Sequence, residues 1–273
     1  MDSHSATIAD IPIRWEEQDG EGDTPVVLIH GIPTSPALWR HVTPQLGGLR
    51  VLAFEMVGYG QSIPAGVDRD ISVAAQARHL DAWLDHLGLD RVILVGHDLG
   101  GGVAQIAAVR RRERCAGLLL TNAIAYDSWP IPSVKAMRAA APVVARMPKR
   151  LLKATLGMLL ARGHDDPAVA RESLEVHFSH YAAHDGAAAL ARQVSALDVR
   201  DTLQVAGDLP GLGVPSRIVW GLADQFQKAS YGQRLARDLS ARATGIRGGK
   251  HFTPEDHPQV IAEAIRELVV EAA

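Results

Sequence analysis

The sequence predicts an α/β fold with a mostly parallel central sheet, helices on both faces and one helical insertion. Three observations predict it. Short, wholly apolar runs stop abruptly at glycine, as strands buried on both faces do. These runs alternate with helical periodicities, which calls for parallel pairing through right-handed crossovers. The alternation then lapses over 127–210, an Ala-, Arg- and His-rich stretch with helical patterns and no convincing strand.

In chain order, 8–18 alternates and runs into Asp19-Gly20-Glu21-Gly22-Asp23, an edge strand followed by a turn. The apolar run 26–29 ends at His30-Gly31, and 51–54 stops ahead of Gly58-Tyr59-Gly60. Val73, Ala77, Leu80, Leu84 and Leu87 keep helical spacing over 72–87, with Gly88 placed to end the helix. A third buried strand, 91–95, breaks at Gly96; 100–112 reads as helix and 118–120 as the fourth strand. In the insertion, 134–146 and 148–162 are helical, and Leu151, Leu152, Leu156, Leu159 and Leu160 form a stripe expected to face the sheet. Alternation resumes with strand 216–220, a helix near 231–239, a short strand over 244–247 and a last helix over 258–271. The expected division is a core of 1–126 and 211–273 with a helical cap, 127–210, inserted after the strand that ends near Ala123.

Composition narrows the function. A chain of 273 residues, 47 % hydrophobic, can bury a core without covalent staples. A net charge of −3 lacks the basic excess of nucleic-acid binders. The lone cysteine, Cys115, excludes an internal disulfide framework and a cysteine-rich metal site. With no glycine-rich phosphate loop ahead of a helix and no spaced ligand set, neither cofactor nor metal is expected. Charge scattered through 1–21 and the absence of an apolar stretch near 18 residues set the expected location in the cytoplasm, away from membranes.

The sharpest local signal is Gly96-His97-Asp98-Leu99-Gly100-Gly101, between a buried strand and a helix. Glycines flanking one polar residue permit a tight, strained turn that presents a nucleophile at the sheet edge. Serine is the usual occupant; here it is Asp98. Aspartate also suits a helix N-cap, but a carboxylate in this frame can attack an alkyl carbon and form an ester.

With His30-Gly31-Ile32-Pro33, Gly58-Tyr59-Gly60-Gln61-Ser62, Trp220-Gly221-Leu222-Ala223-Asp224 and Gly248-Gly249-Lys250-His251-Phe252 in the same order, the chain resembles the α/β-hydrolase fold over essentially its whole length. The resemblance implies Asp98 as nucleophile, His251 as the base that activates water and Asp224 as the acid that orients His251. His257 is a rival to His251. Asp224 takes the acid role because the alternative position, in Leu120-Thr121-Asn122-Ala123, has no carboxylate. Backbone amides of Ile32 and Leu99 would form the oxyanion hole. His30, Pro33, His97, Tyr126 and Trp129 are expected around the substrate.

Aspartate-nucleophile relatives open epoxides or displace halide. Epoxide hydrolases protonate the ring oxygen with cap tyrosines, and Tyr181 is the better candidate here, ahead of Tyr126. Dehalogenases hold halide with indole or amide N–H groups, a tryptophan directly after the nucleophile among them, whereas Leu99 and Ile32 stand at the two obvious places. The expected function is therefore epoxide opening to a diol through an alkyl ester on Asp98. Haloalkane dehalogenation, or a biosynthetic ring opening, is the alternative, and a non-catalytic ligand-binding role fits the intact Asp98, Asp224 and His251 set less well. The expected partners are a small apolar substrate and water, without nucleic acid or membrane. Family resemblance alone suggests homo-oligomer contacts through the cap.

Overall fold

The computed structural model describes residues 1–272, so Ala273, the last residue of the expected core, lies outside it. One sheet of eight strands organises the chain: β1 (Asp2–Ile8), β2 (Ile11–Gln18), β3 (Glu21–Ile29), β4 (Leu49–Glu55), β5 (Val92–His97), β6 (Cys115–Thr121), β7 (Ser216–Gly221) and β8 (Arg242–Ile246). Their spatial order is β1-β2-β4-β3-β5-β6-β7-β8. The β1–β2 and β2–β4 pairs are antiparallel and the remainder parallel.

The single edge strand expected over 8–18 is instead the second arm of a hairpin. Ala9 and Asp10 both take positive φ, 48° and 62°, and close a two-residue turn between the paired Ile8 and Ile11. Such turns favour Asn-Gly or Asp-Gly; Ala-Asp carries little of that signal.

Helices α1 (Val73–His86) and α2 (Leu99–Arg110) follow β4 and β5. Ser72 caps α1 by accepting a hydrogen bond from the Ala75 amide at 3.2 Å, and Gly88, at φ +65°, ends it. Between β6 and β7 lie α3 (Pro132–Ala139), α4 (Ala141–Val144), α5 (Lys149–Gly163), α6 (Pro167–Ala183), α7 (Gly186–Ser195) and α8 (Arg200–Leu203). After β7 come α9 (Ala229–Asp238), α10 (Thr253–Asp256) and α11 (Pro258–Ala272).

Strand residues divide with period two between the faces. Val27 and Ile29 join Leu80, Trp83 and Val103 of α1 and α2 on one side; Val26 and Leu28 join Ile261, Ile265 and Leu268 of α11 on the other. The helices after β6 build a third cluster, with Leu152, Leu156, Phe178 and Leu190, which also takes in Ile63 from the segment after β4. The leucine stripe therefore divides. Leu152 and Leu156 pack within the insertion, Leu160 joins the α11 face, Leu159 reaches the cavity described below, and Leu151 is 53 % exposed. Among the described residues no helix is long and apolar enough to cross a membrane.

Candidate active site

The parallel strands carry their chemistry at their C-terminal ends, where open α/β sheets form ligand crevices. Ile32 follows β3, Asp98 follows β5, Ile124 follows β6 and Gln227 follows β7. All four line one cavity of about 50 Å³ together with Leu99, Trp129, Ile131, Leu159, Leu197, Phe226 and His251.

Asp98 sits at φ 49°, ψ −118°, a conformation that a side chain adopts only under strain. Neighbouring glycines make the bend sterically open. A Cβ on Gly100 would stand 2.2 Å from the Ile29 carbonyl oxygen, and one on Gly31 would meet Asp98 Oδ2 at 2.5 Å. Although Asp98 precedes α2, its side chain makes no capping hydrogen bond. Oδ2 instead accepts from the Ile32 amide at 3.1 Å, and the nearby Leu99 amide also favours the ionised carboxylate. Burial raises the Asp98 pKa against the opposing pull of His251 and these two amides.

His251 turns Nδ1 to Asp224 Oδ2 at 2.9 Å, while Nε2 stands 3.8 Å from Asp98 Oδ1. The second gap exceeds a hydrogen bond, so the imidazole faces the carboxylate without gripping it. Burial would lower the His251 pKa, but the charges of Asp224 and Asp98 and the Asp224 hydrogen bond outweigh it and the value is raised. Asp224 is held below the usual range: burial opposes this, and His251, Asn122 and the Phe226 amide prevail. His257, the sequence rival, lies outside this chain of contacts and pairs with Asp165 at 2.5 Å.

Asn122 is a contributor that sequence reading missed. At the strand end where a carboxylate was sought, its Nδ2 donates to Asp224 Oδ2 at 2.7 Å. Its Oδ1 accepts from the Gly221 amide and from Thr253 Oγ1, each at 3.1 Å. The motif Leu120-Thr121-Asn122 marked the place; only the fold reveals the partner.

Several of the residues expected around the substrate have other partners in this structure. His30 is buried beneath the loop, donating from Nδ1 to the Gly31 carbonyl and accepting the Met56 amide at Nε2. His97 donates from Nε2 to the His251 carbonyl at 3.0 Å, and burial, aided by the His251 charge, lowers its pKa to about 3, so it is neutral. Tyr126 donates its hydroxyl to Asp238. Neither these three nor Pro33 lines the cavity. Trp129 does, but its indole N–H is engaged by Thr202 Oγ1 at 2.7 Å. Tyr181, the expected proton donor, lies in the insertion's apolar cluster with its hydroxyl given to Gln193 Oε1 at 2.7 Å, and Gln193 in turn donates to the Gly58 carbonyl. Helical packing of α6 on α7, not the cavity, sets its direction.

A sequence profile of the α/β hydrolase fold matches residues 24–163, just over half of the chain. Haloalkane dehalogenase 2 of Mycobacterium tuberculosis is 31 % identical over 257 residues, covering 89 % of this chain and 87 % of that protein. Among solved structures, an α/β hydrolase fold protein from Burkholderia ambifaria superposes with a TM-score of 0.89 at 26 % identity, covering 97 % of each chain. The epoxide hydrolase CorEH superposes with a TM-score of 0.79 at 22 % identity over 98 % of each chain, a likeness of fold.

Proposed function

The chain belongs to the α/β-hydrolase fold family and is a hydrolase; from that premise we propose that it displaces halide from a small alkyl halide through an ester on Asp98. The observation that carries this reading is the hydrogen bond from the Ile32 amide to Asp98 Oδ2, with the Leu99 amide beside the same carboxylate. In serine-type ester hydrolysis those amides receive the substrate's oxyanion. Here the enzyme's own carboxylate fills the hollow, leaving Oδ1 free to attack and Oδ2 already stationed where the negative charge of the second step develops.

The two steps follow from the geometry. Oδ1 attacks the alkyl carbon, the carbon–halogen bond breaks, and halide departs with its electron pair. Water then attacks the ester carbonyl of Asp98 while His251 Nε2 takes its proton and Asp224 holds the imidazolium. Collapse releases the alcohol, restores the carboxylate, and returns one proton to solvent. Segment 127–210 acts as a cap that supplies Trp129, Ile131, Leu159 and Leu197 to the apolar wall.

Halide is preferred to an epoxide oxygen as leaving group because it departs without a proton. An opening epoxide generates a strongly basic alkoxide, and no tyrosine lines the cavity among the described residues. The full-length likeness to a protein named haloalkane dehalogenase supports the same choice.

Intact mass spectrometry of His251→Ala, incubated with short bromoalkanes and epoxides, tests the reading. Without its base the enzyme is expected to stall as an alkyl ester, heavier by the substrate mass less hydrogen halide. An adduct of whole-epoxide mass would return the assignment to epoxide opening. An adduct that survives Asp98→Asn would remove Asp98 from the role.

A further inference from the structure

We infer that Gln227 is the leaving-group residue of this cavity, its side-chain amide N–H receiving the departing halide. The inference rests on the displacement reading above and gives it a second pole: Asp98 on the attacking side, Gln227 on the departing side.

Elimination among the walls leads there. A halide expelled into an apolar cavity needs an N–H or O–H donor, because charge without water or a partner is costly. The amides of Ile32 and Leu99 already face Asp98. The Trp129 indole donates to Thr202. His251 Nδ1 is engaged by Asp224, and its Nε2 must stay a proton acceptor for the second step. The other lining side chains, Asp98 apart, are apolar.

Gln227 is different. It is 3 % exposed and lines the cavity; among the described residues its Nε2, the donor a halide would meet, gives no hydrogen bond, and its buried Oε1 accepts none. A buried carboxamide left unpaired is unfavourable unless something else pairs with it. Its backbone is fixed: the carbonyl accepts from the Trp220 indole at 3.0 Å, and Asp224 Oδ1 anchors the neighbouring Phe226 amide at 2.6 Å. The loop that positions the acid for His251 thus also presents the carboxamide to the cavity.

One neutral amide is a modest halide site, so the enzyme should favour bromide and iodide as leaving groups over chloride, and depend on Gln227 most for chloride. The test measures alkylation in the His251→Ala background with 1-chloro-, 1-bromo- and 1-iodobutane, by the rate of adduct formation on Asp98. Gln227→Leu is expected to slow bromide displacement about 10- to 100-fold, the range for losing a hydrogen bond to a charged group, and to widen the iodide-to-chloride ratio. Gln227→Glu, nearly isosteric, is expected to be slower still when ionised, since it opposes a departing anion. Sodium bromide titrated into the protein with native His251, read by tryptophan fluorescence, should bind and lose that binding in Gln227→Leu. Unchanged rates and ratios in both variants, with the adduct forming normally, would overturn the role of Gln227 and leave the displacement reading intact. No alkyl adduct with any of the three halides in His251→Ala would overturn both.

Discussion

His251 separates the two chemical steps in pH. Its imidazole must be neutral to take a proton from water, and its pKa is raised above the ordinary 6.5 because Asp224 and Asp98 outweigh burial. Esterified Asp98 no longer contributes its charge, so hydrolysis of the ester should fail as pH falls through the His251 pKa that Asp224 then supports alone. Alkylation needs only ionised Asp98, a form that His251 and the Ile32 and Leu99 amides favour against burial. Below neutrality the alkyl ester should accumulate on the native enzyme during turnover, and rapid-quench mass spectrometry across pH would detect it. An adduct fraction that does not rise as pH falls would remove His251 as the base. Asp98 and His251 stood out in the sequence because a strained elbow and a glycine-rich turn restrict the residues around them. Asn122 and Gln227 did not, since their roles depend on which chain segments meet after folding. Tyr181 shows the same dependence: residue type suggests a proton donor, and its hydroxyl is given to Gln193, twelve positions on.

The loop that bears His251 is held from the insertion side. The amides of His251 and Phe252 both donate to the Gly163 carbonyl at the end of α5, at 2.9 and 3.1 Å, and the Lys250 amide donates to Asp165 at 2.7 Å. Beneath them Glu255 of α10, fully buried in its side chain, meets His164 at 2.7 Å, His177 of α6 at 3.3 Å, and Arg40. Burial would raise the Glu255 pKa, but these partners hold it well below 4.5. A carboxylate with a depressed folded pKa stabilises fully above its unfolded value and loses that contribution as pH falls toward the folded one. Glu255→Gln should cost about 3–5 kcal/mol near neutral pH, the range for breaking a buried ion pair, and flatten the acid limb of stability below about pH 4.5. Urea unfolding of both proteins at pH 7 and pH 4 checks this; an equal loss at both pH values would show that the charge is not what Glu255 contributes. None of this network was legible beforehand. Helical periodicity cannot tell what a face will be packed against, so nothing in the sequence pairs His177 with Glu255.

At the scale of the molecule, the β-α alternation was readable because buried parallel strands are uniformly apolar and their glycine stops are sharp. The insertion was readable as an interruption, but its attachment was not. Its apolar cluster, with Leu152, Phe178 and Leu190, suggests a body that could open or melt independently of the sheet. Three ties oppose that. Leu160 of α5 packs with Phe252 and Ile261 in the core beneath the sheet, Gln193 of α7 reaches the Gly58 carbonyl at 2.8 Å, and the Glu255 network spans the junction. Unfolding should therefore be one cooperative event, with far-ultraviolet circular dichroism, rich in insertion helix, coinciding with tryptophan fluorescence measured in a Trp129→Phe background, where the four remaining indoles lie outside the insertion. Leu160→Ala should cost about 2–5 kcal/mol and move both curves together. If the helical signal were lost first, with fluorescence unchanged, the insertion would be a separate folding unit, and closure of the cavity would then be set by its local opening.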